Sequence, residues 1–204
     1  MIGIVDYGLG NVQAFENVYK SLDIPCAMVK NAGALAGITK IILPGVGAFD
    51  YAMTRLEESG MKKALDQIAT DQKVPILGVC VGMQMLGRSS EEGALPGLGW
   101  LDGVVKRFGR RPDGRPLDVP HMGWNDVAAT SASPLFKGLE SSARFYFLHS
   151  YYMSCAKSED VIAVTDYGVR FACAVNSGSI YGVQFHPEKS HRWGIRLLKN
   201  FADL

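Results

Sequence analysis

Cys80 stands in a setting that could make it a nucleophile. The run from Val74 to Val79 is short and apolar, reads as a buried strand, and breaks at Gly78-Val79-Cys80-Val81-Gly82. Met83-Gln84-Met85-Leu86 then continues with helix-forming residues. Small residues two before and two after a reactive side chain suit a tight strand-to-helix elbow, where the backbone folds back on both sides. An elbow sets the sulfur at a helix N-terminus, where about half a positive charge favours thiolate over thiol. The same pattern also suits a small buried hydrophobe at a strand end.

A thiol nucleophile needs a base, and the base needs a group that fixes its tautomer. His186-Pro187-Glu188 offers both. In an extended segment residues i and i+2 share a side, so His186 and Glu188 are expected to emerge together, stiffened by Pro187. A surface histidine beside a solvated glutamate is the plainer alternative. A metal site is not expected: His186 and His191 have neither helical nor strand spacing, and Cys26, Cys80, Cys155 and Cys173 lack CxxC spacing and read as free thiols.

Two glycine-bearing loops follow strands. Gly8-x-Gly10 comes after the strand Ile2 to Asp6, but the third glycine of a dinucleotide fingerprint would fall at Gln13, so the segment reads as a tight turn. Pro44-Gly45-Val46-Gly47 ends the strand Lys40 to Leu43, where exposed backbone N–H groups suit an anion or oxyanion, or merely a turn into the next helix.

These residues need a scaffold, and the rest of the chain describes one. Its 204 residues, 48% hydrophobic and 20% charged with net charge +1, suit a single domain over 1–204, with no nucleic-acid or anionic-membrane footprint. The N-terminus opens directly on a strand pattern, and no apolar run approaches the ~18 residues of a membrane span, so a cytoplasmic protein is expected. Asn11 can cap a helix whose apolar face is Val12, Phe15, Val18, Tyr19 and Leu22. Pro25 to Val29 is another strand; Phe49, Met53 and Leu56 mark one helix, and Met61, Leu65 and Ile68 a second. Trp100 to Phe108 reads as a strand, Arg107 to Arg115 as a solvated hairpin tip and Pro120 to Asn125 as a loop. Arg144 to His149 reads as a strand delivering His149, Ser150, Tyr151 and Tyr152 at its end. Val161 to Asp166 and Val169 to Val175 form a hairpin, Ser179 to Phe185 pairs with it, and a helix carrying Trp193, Leu197, Leu198 and Phe201 closes the chain. The alternation is that of an α/β protein.

GVCVGMQ around Cys80, PGVG at Pro44 to Gly47, HSYY at His149 to Tyr152 and VQFHPEKS at Val183 to Ser190 together resemble a class I glutamine amidotransferase. GLGN at Gly8 to Asn11, PHMGWN at Pro120 to Asn125 and the closing LLKNF narrow the resemblance to glutaminase subunits of imidazole glycerol phosphate synthases. It implies a flavodoxin-like fold with a mostly parallel central sheet, an antiparallel extension and flanking helices. It implies a triad in which Cys80 attacks the side-chain carbonyl of L-glutamine, His186 moves the proton and Glu188 orients His186. Backbone N–H groups of Val81 and of Val46 or Gly47 would hold the oxyanion, and Gln84, His149, Ser150 and Tyr151 would line the glutamine pocket. No cofactor is implied. Asn11, Trp124, Asn125 and Lys189 would lie at the interface with a (β/α)8 cyclase subunit that receives ammonia in histidine biosynthesis. VQAF at Val12 to Phe15, LPGLGW at Leu95 to Trp100 and ARFYFLHSYY at Ala143 to Tyr152 lean towards a paralogue that feeds a sugar amidotransferase in surface-polysaccharide assembly. An elbow-cysteine redox or chaperone protein is the remote alternative, disfavoured by the His-x-Glu pair.

Overall fold

The computed structural model describes residues 1–204, apart from the side chain of Gln72. Ile2–Val5 (β1) is apolar throughout and buried throughout, the mark of a strand covered on both faces. The chain then alternates through Val12–Ser21 (α1), Cys26–Val29 (β2), Lys40–Gly45 (β3), Phe49–Glu58 (α2), Lys62–Gln67 (α3), Ile76–Cys80 (β4) and Val81–Met85 (α4). From residue 89 it is mostly β: Ser89–Ser90 (β5), Gly103–Arg107 (β6), His121–Ala129 (β7), Ala143–His149 (β8), Tyr151–Cys155 (β9), Val161–Asp166 (β10), Arg170–Ser177 (β11) and Ile180–Val183 (β12). His191–Asp203 (α5) closes the chain and buries Leu197, Leu198 and Phe201.

One sheet takes every strand. β2, β1, β3, β4 and β12 run parallel side by side. Polarity reverses at β11, and β10, β7 and β8 continue antiparallel, while β9 branches from β11 to β6 and β5. This is the expected parallel centre with an antiparallel extension. Because β4 and β12 are neighbours in register, Cys80 and the segment beyond Val183 leave the same edge of the sheet. Among the described residues, no helix is long and apolar enough to cross a membrane.

Three local expectations are corrected. Asn11 makes no side-chain cap bond to α1; its backbone, at φ −91° and ψ 61°, is outside the extended geometry that swings a cap oxygen over the first turn. Pro120 to Asn125 is not a loop: His121 to Asn125 opens β7, because each residue finds a partner on β8, from His149 back to Phe145. The strand expected over Trp100 to Phe108 is confined to Gly103–Arg107, where β9 supplies its partners, and Tyr151 and Tyr152 open β9 instead of ending the preceding strand. The hairpin at Arg107 to Arg115 closes through an Arg110–Pro116 bridge, with Arg110 and Arg115 exposed and Arg111 half-buried.

Candidate active site

Cys80 ends β4 with φ +57° and ψ −114°, a conformation that costs a residue with a β-carbon about 1–3 kcal/mol. The neighbouring glycines make the turn possible. A β-carbon on Gly78 would lie 2.6 Å from the Gly82 carbonyl oxygen, and one on Gly82 would overlap the Leu43 carbonyl oxygen. β3, β4 and α4 therefore meet backbone to backbone, and the cysteine is pushed out of the sheet edge into a cleft of about 270 Å³. The Cys80 thiol can donate to the Leu148 carbonyl at 3.9 Å, and Gln184 Nε2 points at its sulfur, also at 3.9 Å.

His186 leaves the end of β12 beside the elbow. The expected extended His-x-Glu segment is not what brings the pair together: Pro187 to Lys189 forms a 3₁₀ turn. Ser190 holds that turn, donating its hydroxyl to the His186 carbonyl at 2.6 Å and its N–H to the Pro187 carbonyl at 3.0 Å. The turn swings the Glu188 carboxylate back to His186, with Oε1 2.9 Å from Nδ1 and the two side chains 2% and 5% exposed. Burial alone would lower the His186 pKa, but the facing Cys80 thiol and Glu188 carboxylate outweigh it and raise it to about 10. A carboxylate accepting from Nδ1 leaves Nε2 for the sulfur side.

The cleft gathers residues that the sequence scatters. Val46, Gly47, Cys80, Val81, Gln84, His149, Ser150, Tyr151, His186 and Lys189 all line it, with Glu188 behind His186. Gly47 has φ +83°, so its loop turns through a conformation open chiefly to glycine. Val81 opens α4, and an N–H in a first helical turn has no partner within the helix. Asn11, Trp124 and Asn125 lie outside the cleft. Trp124 is 41% exposed and stacks on His191 at 5.4 Å, so it stands at the surface rather than in the core. Lys189 lies over the Tyr146 ring at 5.9 Å. Asn125 is half-buried and donates to the Asp166 carbonyl at 2.8 Å.

Two polar residues of the site had no role in the sequence reading. Glu92 lines the cleft and accepts the Phe49 N–H at 2.9 Å, in the first turn of α2; nothing in its local sequence signals this. Gln184 is fully buried and accepts from Gln84 Nε2 at 3.1 Å. A glutamine between the apolar Val183 and Phe185 was the available signal, since buried amides are retained where every group finds a partner.

Residues 3–204 match the family described as glutamine amidotransferase class-I. Over 204 residues, and the full length of both chains, the sequence is 58% identical to the imidazole glycerol phosphate synthase subunit HisH of Bdellovibrio bacteriovorus. It is 53% identical, again over both full lengths, to the subunit of the same name in Leptospira interrogans. Among solved structures, a crystal structure of a glutamine amidotransferase superposes with TM-score 0.75 at 20% identity, covering 100% of this chain and 99% of that one. The structure of PurLQS from Thermotoga maritima superposes with TM-score 0.73 at 16% identity, covering 99% of this chain and 97% of that one. At those identities the two structures speak for the fold.

Proposed function

The chain belongs to the class-I glutamine amidotransferases, and from that premise we propose that it is the glutaminase subunit of an imidazole glycerol phosphate synthase. The observation that carries the chemistry is the meeting of Cys80, on its strained elbow, with the buried His186–Glu188 pair across one cleft. The raised pKa of His186 favours its holding the Cys80 proton as imidazolium, and the thiolate so formed attacks the side-chain carbonyl of L-glutamine. The tetrahedral oxyanion is held by the N–H groups of Val81 and of Val46 or Gly47, each worth ~3 kcal/mol of barrier. The imidazolium returns the proton to the leaving nitrogen, ammonia departs, and water hydrolyses the thioester to glutamate by the same steps. Glu188 fixes the ring and stabilises its charge throughout. Gln84, His149, Ser150 and Tyr151 shape the substrate pocket, and the Glu92 carboxylate suits the α-ammonium group.

Ammonia passes to a (β/α)8 cyclase subunit that makes imidazole glycerol phosphate and an aminoimidazole carboxamide nucleotide. The exposed apolar side chains Val46, Val119, Met122, Trp124 and Leu148 support docking near the cleft, with Asn11, Asn125 and Lys189 at the contact. Relatives at 53–58% identity support this pathway over a polysaccharide paralogue. The free thiols suit a reducing, cytoplasmic setting.

The test is glutamate release by the purified chain, alone and with the cyclase subunit plus its nucleotide ligand. Weak release alone and strong, Cys80-dependent release in the complex is expected. No stimulation, in a chain whose Cys80 still reacts with a glutamine-analogue electrophile, would assign it to the polysaccharide partner.

A further inference from the structure

Beside the cleft, two buried imidazoles are bonded to each other, with His121 Nδ1 3.0 Å from His149 Nε2. The groups at either end fix every proton between them. His149 Nδ1 lies 2.7 Å from the Tyr151 carbonyl oxygen, which can only accept, so that nitrogen carries hydrogen. At the other end, Asn125 Nδ2 lies 3.2 Å from His121 Nε2. The Asn125 amide cannot be turned over, because Nδ2 also donates to the Asp166 carbonyl and Oδ1 accepts the Asp126 N–H at 2.8 Å. His121 Nε2 therefore accepts, and its Nδ1 carries the hydrogen that His149 Nε2 receives. Three bonds in one direction leave one proton per ring; a further proton would set two hydrogens against each other.

The chain of bonds continues into the cleft. The Tyr151 carbonyl also accepts from Gln84 Nε2 at 3.2 Å, Gln84 donates on to Gln184 Oε1, and Gln184 Nε2 points at the Cys80 sulfur. His121 is clamped between the rings of Phe147 and Tyr167, with centroids at 4.7 and 4.1 Å. We propose that His121 is a positioning residue for glutamine hydrolysis. Its Nδ1–H commits His149 to donate to Tyr151, which holds the Tyr151 carbonyl and through it the Gln84 amide in the glutamine-binding orientation. The inference rests on the glutaminase reading above.

Two measurements test it. In the complex at pH 7, ring-nitrogen NMR should show both histidines neutral and protonated on Nδ1, against the Nε2–H preference of free histidine. His121→Phe keeps a stacked ring but offers no donor, whereas His121→Asn can place an amide N–H where Nδ1 stood. The Phe variant should raise KM for glutamine tenfold or more while iodoacetamide alkylates Cys80 within twofold of the wild-type rate. The Asn variant should stay within threefold of wild-type KM. An Nε2-protonated His149 in a chain that releases glutamate overturns the inference alone, as does a Phe variant with unchanged KM or an Asn variant no better than Phe. A wild-type complex that releases no glutamate overturns the glutaminase reading and this inference with it.

Discussion

Glu188 Oε1 lies 2.9 Å from His186 Nδ1, while Oε2 of the same carboxylate is buried with no hydrogen-bond partner. One oxygen is spent on orienting the imidazole, and the other leaves negative charge concentrated beneath it. Glu188→Gln keeps the shape and removes the charge. The proposed mechanism then expects kcat for glutamate release to fall ~10²–10⁴-fold with little change in KM. The substitution also leaves the buried His186 imidazolium without its facing counter-charge, which lowers stability. Steady-state kinetics and thermal unfolding of one preparation read both effects.

The strain at Cys80 separates stability from activity. Its φ of +57° is tolerable to glycine and costly to any residue with a β-carbon. Cys80→Ala and Cys80→Gly should both abolish glutamate release, but the Gly variant should be the more stable of the two by about 1 kcal/mol. Equal melting temperatures would mean the elbow stores no strain.

Gly82→Ala tests the close approach beneath the elbow. Its β-carbon would collide with the Leu43 carbonyl oxygen, a backbone atom with no rotamer to yield. The expected loss is about 1–3 kcal/mol, as for overpacking elsewhere, with displacement of α4 and loss of Cys80 labelling by a glutamine analogue.

Opposed histidine shifts shape the dependence of stability on pH. Burial lowers the pKa of His121 to about 4. Burial also lowers that of His149, with His121 and His186 adding to the effect and the bond to Tyr151 opposing it, to about 3. Between those values and the ordinary 6.5 the unfolded chain binds more protons, so stability from these two is full above 6.5 and lost as pH falls. His186 is raised, so its contribution is full below 6.5 and lost as pH rises towards about 10. These three groups favour a melting-temperature maximum near pH 6.5. His121→Asn should flatten the acid side of the curve between pH 6.5 and 5, and Glu188→Gln the alkaline side.

Trp124 separates docking from folding. It stacks on His191 at the surface and remains 41% exposed. If the cyclase subunit covers it, Trp124→Ala should weaken the complex tenfold or more, about 2 kcal/mol for an aromatic anchor, with the isolated chain's melting temperature nearly unchanged. Titration of the variant against the cyclase subunit measures this directly.

The sequence by itself determined what depends on residues close along the chain. Whereas the crowding Gly82 relieves is against Leu43 and Pro44 on β3, Gly78 declares the elbow because the crowding it relieves, against Gly82 and Met83, lies within a few residues of Cys80. The apolar spacing of α1, α2 and α5 declares those helices for the same reason. His186 and Glu188 were legible as a pair, yet the 3₁₀ turn held by Ser190, rather than an extended strand, joins them. Tertiary structure alone decided the rest. His121 stands on a strand because β8, more than twenty residues onward, supplies its partner, and its ring meets His149 only through that pairing. Gln184 reaches Gln84 across one hundred residues because β4 and β12 lie side by side. Asn125 spends its amide on Asp166 because β7 and β10 are neighbours. Hydrogen-bond direction in such a network is set by acceptors and donors at its two ends, and only the folded sheet brings those ends together.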